Sequence, residues 1–501
     1  MRRVICGLLL FLALTAHSVQ AERPNIVFLL ADDQSTWSMG CYDTPGARTP
    51  QLDQLARDGM VFDRHYDTTA ICMASRATIM TGLFEYRTGC NFDHGALLEE
   101  HWQASYPLVL REAGYQTAFA GKFGFVVSPT PGNKGRLPER DFDRWGGGRG
   151  QTSYATKKNK SMAEYADEYP HSTRSYGAFG RDFIKDAAAK ESPFCLSISF
   201  KAPHHPVDPD PMFDDVFRDM TFSRPGNYGR PSGEHLSRQS RLGRQYERFH
   251  SWHYSDRYDE TMALYFQQIH AIDYAVGMIR KAIEQAGVAD NTVIIYTSDN
   301  GFMNGSHGYG SKVIPYEEST RVPLILFDPR HSHSGRQLRC QTLTGNVDIA
   351  PTILDLAGLP VPSGIDGRSL LPLYDDPTVS IHETLPLINV WGPAPVHSLA
   401  VVSTDWKFVY WPWAEDDFEA TEELFHLDSD RLELINVRND PAQAAAVKLM
   451  QQHYDRAVAH WNEHAVPYHN YQPFGTLFDR GKTWETKRQA MPKRGRKRTD
   501  P

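Results

Sequence analysis

Five apolar runs, each closed by a polar residue, restrict this chain to a sheet that is buried on both faces. They are Asn25 to Ala31, Thr117 to Ala120, Phe194 to Phe200, Thr292 to Thr297 and Val322 to Phe327. A strand with one wet face alternates polar and apolar residues. A continuous apolar run has no wet face and reads as a parallel strand covered by helices on both sides. Helical patterns lie between the runs. Thr49 to Gly59 carries Leu52, Leu55 and Ala56, and Tyr106 to Ala113 carries Leu108 and Leu110 before Gly114. Asp259 to Ala286 repeats Met262, Phe266, Ile269, Ile272, Val276, Ile279 and Ile283 before Gly287, a glycine stop. Strands alternating with helices predict an α/β fold with a large, doubly wound, mostly parallel sheet flanked by helices.

The pattern breaks around Leu373 to Thr384. Beyond it, His397 to Trp411 reads as two short strands and Glu423 to Leu427 as another. Asp440-Pro441 is a helix start, an N-cap followed by proline in the first turn. Val447, Met450, Tyr454, Val458 and Trp461 mark one face of that helix. These elements predict a smaller C-terminal α+β domain. The expected organisation is therefore residues 1–21 as a leader, 22–375 as the main domain, 376–480 as the small domain and 481–501 as a basic, disordered tail. Two stretches, Val127 to Tyr176 and Pro206 to Arg257, show little regular pattern and are expected to be binding loops or lids.

The leader reads as an export signal. Arg2 and Arg3 precede the apolar run Val4 to Leu14, and Val19-Gln20-Ala21 is a small-residue cleavage site. The run is short for a membrane span, and no later apolar stretch is long enough for one. The expected location is periplasmic or secreted. A formal net charge of -8 over 501 residues argues against nucleic acid as the main partner. Of six cysteines, cleavage removes Cys6. If Cys72 is chemically spent, Cys41, Cys90, Cys195 and Cys340 remain, and their pairing is open. Spacing offers no CxxC pair for zinc.

In an open parallel sheet, ligands bind beyond the carboxyl ends of the strands. The first run ends in Asp32-Asp33 and the fourth in Ser298-Asp299-Asn300-Gly301. Three carboxylates and an amide at one edge are costly unless a cation neutralises them. All are hard oxygen donors suited to Ca²⁺ or Mg²⁺. The same edge gathers Lys122, Lys312, Arg76 and His204 or His205, cations that suit a tetrahedral anion and its transition state.

The segment Ile71-Cys72-Met73-Ala74-Ser75-Arg76, followed by Thr81-Gly82, resembles the signature of the sulfatase family. So do Arg23-Pro24-Asn25 through Asp32-Asp33, Thr49-Pro50 with Leu52-Asp53, Ser298 to Gly301, and Lys312 to Glu317. Arg321-Val322-Pro323, Asp348 to Thr352 and Asp366 to Leu370 follow in the same order. The resemblance implies an alkaline phosphatase-like fold and hydrolysis of a sulfuric ester; export and the hydrophilic, loop-rich stretches suit a sulfated carbohydrate as the substrate. The resemblance implies that a maturation enzyme oxidises Cys72 to formylglycine, whose hydrate attacks sulfur and then expels sulfate through its second hydroxyl. It further implies that Asp32, Asp33, Asp299, Asn300 and residue 72 bind Ca²⁺, or Mg²⁺ in its place. Arg76 stabilises the hydrate, Lys122 and Lys312 bind sulfate oxygens, and His204 protonates the leaving alcohol. His205 and His307 are expected at the substrate.

One position departs from the family. The pattern Gly-Lys-Trp-His is here Gly121-Lys122-Phe123-Gly124, so the histidine that serves as base for sulfate release is missing. His94, His101 and His307 are its candidate replacements, with His307 favoured. Trp102, Trp145, Trp252 and Trp391 either stack on sugar rings or pack in the core. No basic cluster for a second sulfate is legible. Two other readings remain: a phosphonate or phosphodiester hydrolase of the same superfamily, and a non-catalytic binding protein on this scaffold.

Overall fold

The computed structural model describes residues 23–491. The leader, with its cleavage site, and the basic run from Lys493 lie outside the described residues. The main sheet has eight strands: β1 Asn25–Ala31, β2 Met60–Phe62, β3 Gln116–Lys122, β4 Arg144–Gly148, β5 Phe194–Ser199, β6 Thr292–Ser298, β7 Leu324–Phe327 and β8 Leu338–Cys340. Their order across the sheet is β8-β2-β7-β6-β1-β5-β3-β4. Pairing is parallel except at β7, which runs antiparallel to both β6 and β2. This corrects the expectation that Val322 to Phe327 is a parallel strand. Composition cannot tell the two apart here, because a strand covered on both faces is apolar throughout in either direction.

Helices cover both faces. They are α1 Pro50–Asp58, α2 Cys72–Thr81, α3 Tyr106–Glu112, α4 Ser172–Ala188, α5 Arg244–Ser251, α6 Tyr258–Gln285 and α7 Ile349–Leu356. Along β1, Ile26, Phe28 and Leu30 join one core with α2, α3 and α7. Val27, Leu29 and Ala31 join the other with α1, α4 and α6. Each large aliphatic or aromatic side chain so buried contributes roughly 1.5–3 kcal/mol. Helix α4 lies close on the sheet because Gly180 has no side chain; a Cβ there would sit 2.9 Å from Ile198 Cδ1.

The C-terminal part is a separate small domain built on a four-stranded antiparallel sheet, β9 Leu385–Asn389, β10 Ser398–Val402, β11 Trp406–Trp411 and β12 Thr421–His426. Helix α8, Ala444–His464, packs on one face. Val447, Met450, Tyr454, Val458 and Trp461 are all buried there. Alternation along β10 sends Leu399 and Val401 toward α8, and Ala400 and Val402 toward the main sheet's side. Strand β9 has no counterpart in the sequence reading. Its Pro386 has no N–H to give to a ladder, and the strand's place at the sheet edge permits it.

The expectation of a disordered tail from 481 fails in its first half. Thr483 accepts a hydrogen bond from the Thr486 amide and caps α9, Trp484–Ala490. Lys487 is 2 % exposed, and its ammonium donates to the Tyr410 hydroxyl at 2.5 Å. The charge run hid a helix that packs on the small sheet through a buried lysine. All described cysteines are free thiols, and Cys195 is a buried part of the core.

Candidate active site

Register brings the strand ends together. Ala31 pairs with Ser298, Leu30 with Ser199, and Gly121 with Ser199. Pairing runs one residue past each strand: the Asp32 amide donates to the Ala202 carbonyl at 3.0 Å, and the Asp299 amide to the Ala31 carbonyl at 3.1 Å. Asp32-Asp33, Asp299-Asn300 and Lys122 are thereby held at one edge, all buried. The Asn300 amide donates to Asp33 Oδ1 at 2.7 Å, and the Asp33 backbone N–H to Asp299 Oδ1 at 3.3 Å.

Helix α2 begins at Cys72 beneath this edge, so the thiol lies in the first turn and Arg76 one turn on, on the same face. Cys72 Sγ is 3.4 Å from Asp32 Oδ1 and 2.6 Å from the Lys312 ammonium. Arg76 donates to Asp299 Oδ2 at 2.7 Å and to the Lys122 carbonyl at 2.6 Å; it also donates to Ser199 Oγ. Lys122 pairs with Asp32 at 2.5 Å. Lys312 pairs with Asp33 and donates to Asn300 Oδ1 at 3.1 Å. The segment that carries Lys312 is strained: Ser311 has φ 73° and Val313 has φ 93°, rare for any residue with a Cβ and costly for a branched one. Its hold is the Val313 amide on Ser319 Oγ at 2.8 Å and the Arg248 guanidinium on Ser311 Oγ at 2.8 Å.

Among the described residues, three carboxylates here face three fixed cations. Burial alone would raise Asp32, yet Lys122, His204, Arg76 and Lys312 hold it well below the usual carboxylate range. Burial wins at Asp33, which Lys312 only partly offsets, and at Asp299, pushed up to about 6 against Arg76. Burial and the Asp32 charge push the Cys72 thiol up to about 12. A thiol that stays protonated at neutral pH is a poor nucleophile.

The donor set fits a hard divalent cation. Asp33 Oδ1, Asn300 Oδ1 and Cys72 Sγ already converge on one positive centre, the Lys312 ammonium. Asp32, Asp33, Cys72 and His204 also lie at ligand spacing from one another.

His204 is nearly buried, with Nε2 3.9 Å from Asp33 Oδ2 and Nδ1 without a partner. Burial lowers its pKa well below the usual value, and Lys122, Lys312 and Lys201 push the same way against Asp32. His205 stacks on Trp252 at 3.8 Å between ring centroids.

His307 stands elsewhere. It is fully buried, with Nδ1 3.0 Å from the Ser232 carbonyl and Nε2 3.0 Å from the Asn227 amide. Its neighbours are Glu318 and Glu433, a second group at ligand spacing, with Lys407 2.8 Å from Glu433. This corrects the expectation of His307 at the substrate: both ring nitrogens are engaged by protein groups. His94 and His101 are likewise held outside the group around Cys72, by the Val390 carbonyl and the Tyr468 hydroxyl.

Gly124, where the resemblance implies a histidine, has φ 90°, and a Cβ on it would overlap Arg76 Cδ. Arg76 therefore fills the space that a side chain at 124 needs. Gly124→His is expected to lower kcat by at least about tenfold, because left-handed strain of ~1–3 kcal/mol adds to displacement of Arg76. Steady-state kinetics against the parent protein check this.

The sequence reading missed several groups. Ser199 and the Asp67-Asn346-Ser75 network, with Asn346 donating to Ser75 Oγ at 3.1 Å, brace Arg76 and the start of α2. Ser199 was legible as a strand end; the network was not, since it joins residues 271 or more apart in sequence. Trp102 and Trp145 are packed among Phe119, Phe123, Phe125 and Phe142, whereas Trp252 and Trp391 border the site. A cavity of about 310 Å³ beside Trp37, Phe222 and Phe266 holds none of the groups around Cys72.

The sequence model of a family described as Sulfatase matches residues 24–359, and one described as N-sulphoglucosamine sulphohydrolase, C-terminal, matches residues 305–460. An N-acetylglucosamine-6-O-sulfatase of Bacteroides thetaiotaomicron is 31 % identical over 419 residues, covering 71 % of this chain and 72 % of that protein. A solved structure in complex with its substrate, D-glucosamine-2-N,6-O-disulfate, superposes with a TM-score of 0.72 at 25 % identity, covering 88 % of this chain and 99 % of that one. The phosphonate monoester hydrolase of Agrobacterium radiobacter shares the fold, with a TM-score of 0.67 at 19 % identity over 88 % of this chain and 96 % of that one.

Proposed function

This chain belongs to the sulfatase family, and on that premise we propose that it removes sulfate from a sulfated amino sugar outside the cytoplasm, with an oxidised Cys72 as nucleophile. One observation carries the reading: a thiol too basic to attack by itself lies among metal-type oxygen donors and three anion-binding cations. The glucosamine-derived substrates named for the two relatives support the amino sugar. The Arg2-Arg3 start, the apolar run and the Ala21 cleavage site support export; among the described residues no helix is long and apolar enough to cross a membrane. We assign 22–375 to catalysis and 376–480 to the smaller domain.

Oxidation of the Cys72 side chain by a maturation enzyme, with dioxygen as the oxidant and the thiol sulfur leaving as sulfide, turns its Cβ into an aldehyde; the hydrate is a geminal diol in which one hydroxyl attacks the sulfur of the ester and the other, once deprotonated, expels sulfate and restores the aldehyde. Asp32, Asp33, Asp299, Asn300 and residue 72 would hold a divalent cation, Ca²⁺ or Mg²⁺, which would supply Lewis acidity toward the nucleophile. Lys122 and Lys312 hold the sulfate and stabilise its growing negative charge. Arg76, one turn after residue 72 on the same helix face, holds Asp299. His204 is neutral in a field of ammonium groups, and the arriving sulfate cancels part of that field. The imidazole can then take up a proton from solvent and, as imidazolium, give it to the oxygen of the departing alcohol. With Gly124 empty and His94, His101 and His307 elsewhere, His204 is also the imidazole available to take back a proton as sulfate leaves.

Protein produced beside a maturation enzyme should show, by intact mass, loss of the Cys72 thiol in favour of an aldehyde, and should release sulfate from glucosamine sulfates. An unchanged thiol with no turnover would instead favour a binding protein. Faster turnover of aryl phosphonates than aryl sulfates would overturn the sulfatase assignment. His204→Ala is expected to slow alkyl sugar sulfates by roughly 10²–10⁴-fold and activated aryl sulfates far less, because acid catalysis matters most for a basic leaving oxygen. Equal losses on both would mean that His204 only binds.

A further inference from the structure

Helix α5 carries Arg244 and Arg248 four residues apart, hence on one face. Each guanidinium lies over an indole: Arg244 over Trp391 and Arg248 over Trp252, both at 4.1 Å from the ring centroid. The two indoles flank the nucleophile. Trp391 packs against Ile71, Ala74 and Val313, the residues around Cys72 and Lys312. Trp252 is stacked by His205, next to His204, and Arg248 holds Ser311, next to Lys312. Among the described residues, neither guanidinium makes an ion pair; Asp93 acts on Arg244 and Asp33 on Arg248 only through longer-range attraction. Other arginines in this chain, such as Arg238 with Asp417 and Arg480 with Glu422, do form such pairs.

Two like charges held in parallel without a counter-ion are repulsive, and both are depressed by burial, Arg248 to about 10 with Arg244 as the next cause. Stacking fixes both forks before anything binds, which lowers the entropic cost of gripping an oxyanion. We infer that Arg244 and Arg248 form a second anion subsite, which seats a sulfate or carboxylate group elsewhere on the same saccharide while its scissile sulfate lies at Cys72. The inference rests on the sulfatase reading and narrows it: the preferred substrate carries at least two anionic groups. The cations of the primary site are tied to Asp32, Asp33 and Asp299, whereas these two make no ion pair among the described residues, Arg248 donating only to the Ser311 hydroxyl, and turn recognition of a neighbouring charge into specificity.

The test compares kcat/KM of the matured full-length enzyme on three defined sugars: a singly sulfated glucosamine, the same sugar with a second sulfate, and a uronic acid-linked disaccharide bearing one sulfate. The parent protein is expected to favour one or both dianionic sugars over the first by roughly 30-fold or more, as charge-assisted hydrogen bonds suggest. In Arg248→Gln and Arg244→Gln that ratio should fall to within about threefold, while Arg238→Gln keeps it. The arm that shows the preference identifies the second anion as sulfate or carboxylate. A purely structural role for Arg248 at Ser311 would slow all three sugars alike and leave the ratio intact, which overturns the inference. So does a parent ratio near one. Absence of turnover on every sugar refutes the sulfatase reading and the subsite together.

Discussion

Cys72→Ala is expected to lower kcat for sulfate-ester hydrolysis by at least about 10⁴-fold, the scale seen when a covalent nucleophile is removed. The fold should survive. Cys72 begins α2, where alanine is a good helix former, and its side chain is small, so little core volume is lost. Cys72→Ser separates the two tasks of the residue. A serine hydroxyl can accept the sulfo group but has no geminal partner to push it off, so the variant is expected to stop after at most one turnover and to gain the mass of a sulfo group. Full turnover by either variant, measured as sulfate released per mole of enzyme, would remove residue 72 from the chemistry.

Asp299→Ala is the second large effect, expected at roughly 10³-fold or more in kcat. Asp299 would serve twice: on the proposed reading it is one of the four oxygen donors, and it holds Arg76 through a 2.7 Å ion pair with both partners almost fully buried. Its loss leaves a buried guanidinium short of a counter-charge, which costs roughly 3–5 kcal/mol of stability where such pairs have been broken. Chelation distinguishes the two roles. A ligand that binds only the folded state adds RT ln(1 + [L]/Kd), about 2.7 kcal/mol at a hundredfold excess over Kd. Removing divalent ions should therefore lower the melting temperature of the parent protein and leave that of Asp299→Ala nearly unchanged. An equal drop in both would show that the ion, if bound, is held without Asp299.

Pairwise geometry explains which residues could be read in advance. Asp32, Asp299 and Lys122 follow apolar runs, and parallel strands in register carry their C-terminal neighbours to one edge whatever the loops do. Cys72 and Arg76 belong to one helix face, a local relation set by the helical period. His307 illustrates the opposite case. Its segment follows Asn300 closely, yet the chain turns into a buried nest with Asn227 and Ser232, residues 80 and 75 positions away. Arg244 and Arg248 sat in a stretch without regular pattern, and no local feature linked them to Trp391 or to Cys72.

By itself, the sequence determined the layered α/β core, the edge at which charged residues collect, and the helix that presents Cys72 and Arg76 together. These follow from periodicity and burial, which act over a few residues and tolerate many loop conformations. Tertiary structure alone decided the direction of β7, the withdrawal of His307, the occupation by Arg76 of the space at Gly124, and the stacking of Arg244 and Arg248 on Trp391 and Trp252. Each of those depends on segments far apart in the chain meeting within a few ångströms, a distance at which a single Cβ or one missing counter-charge changes what the site can bind.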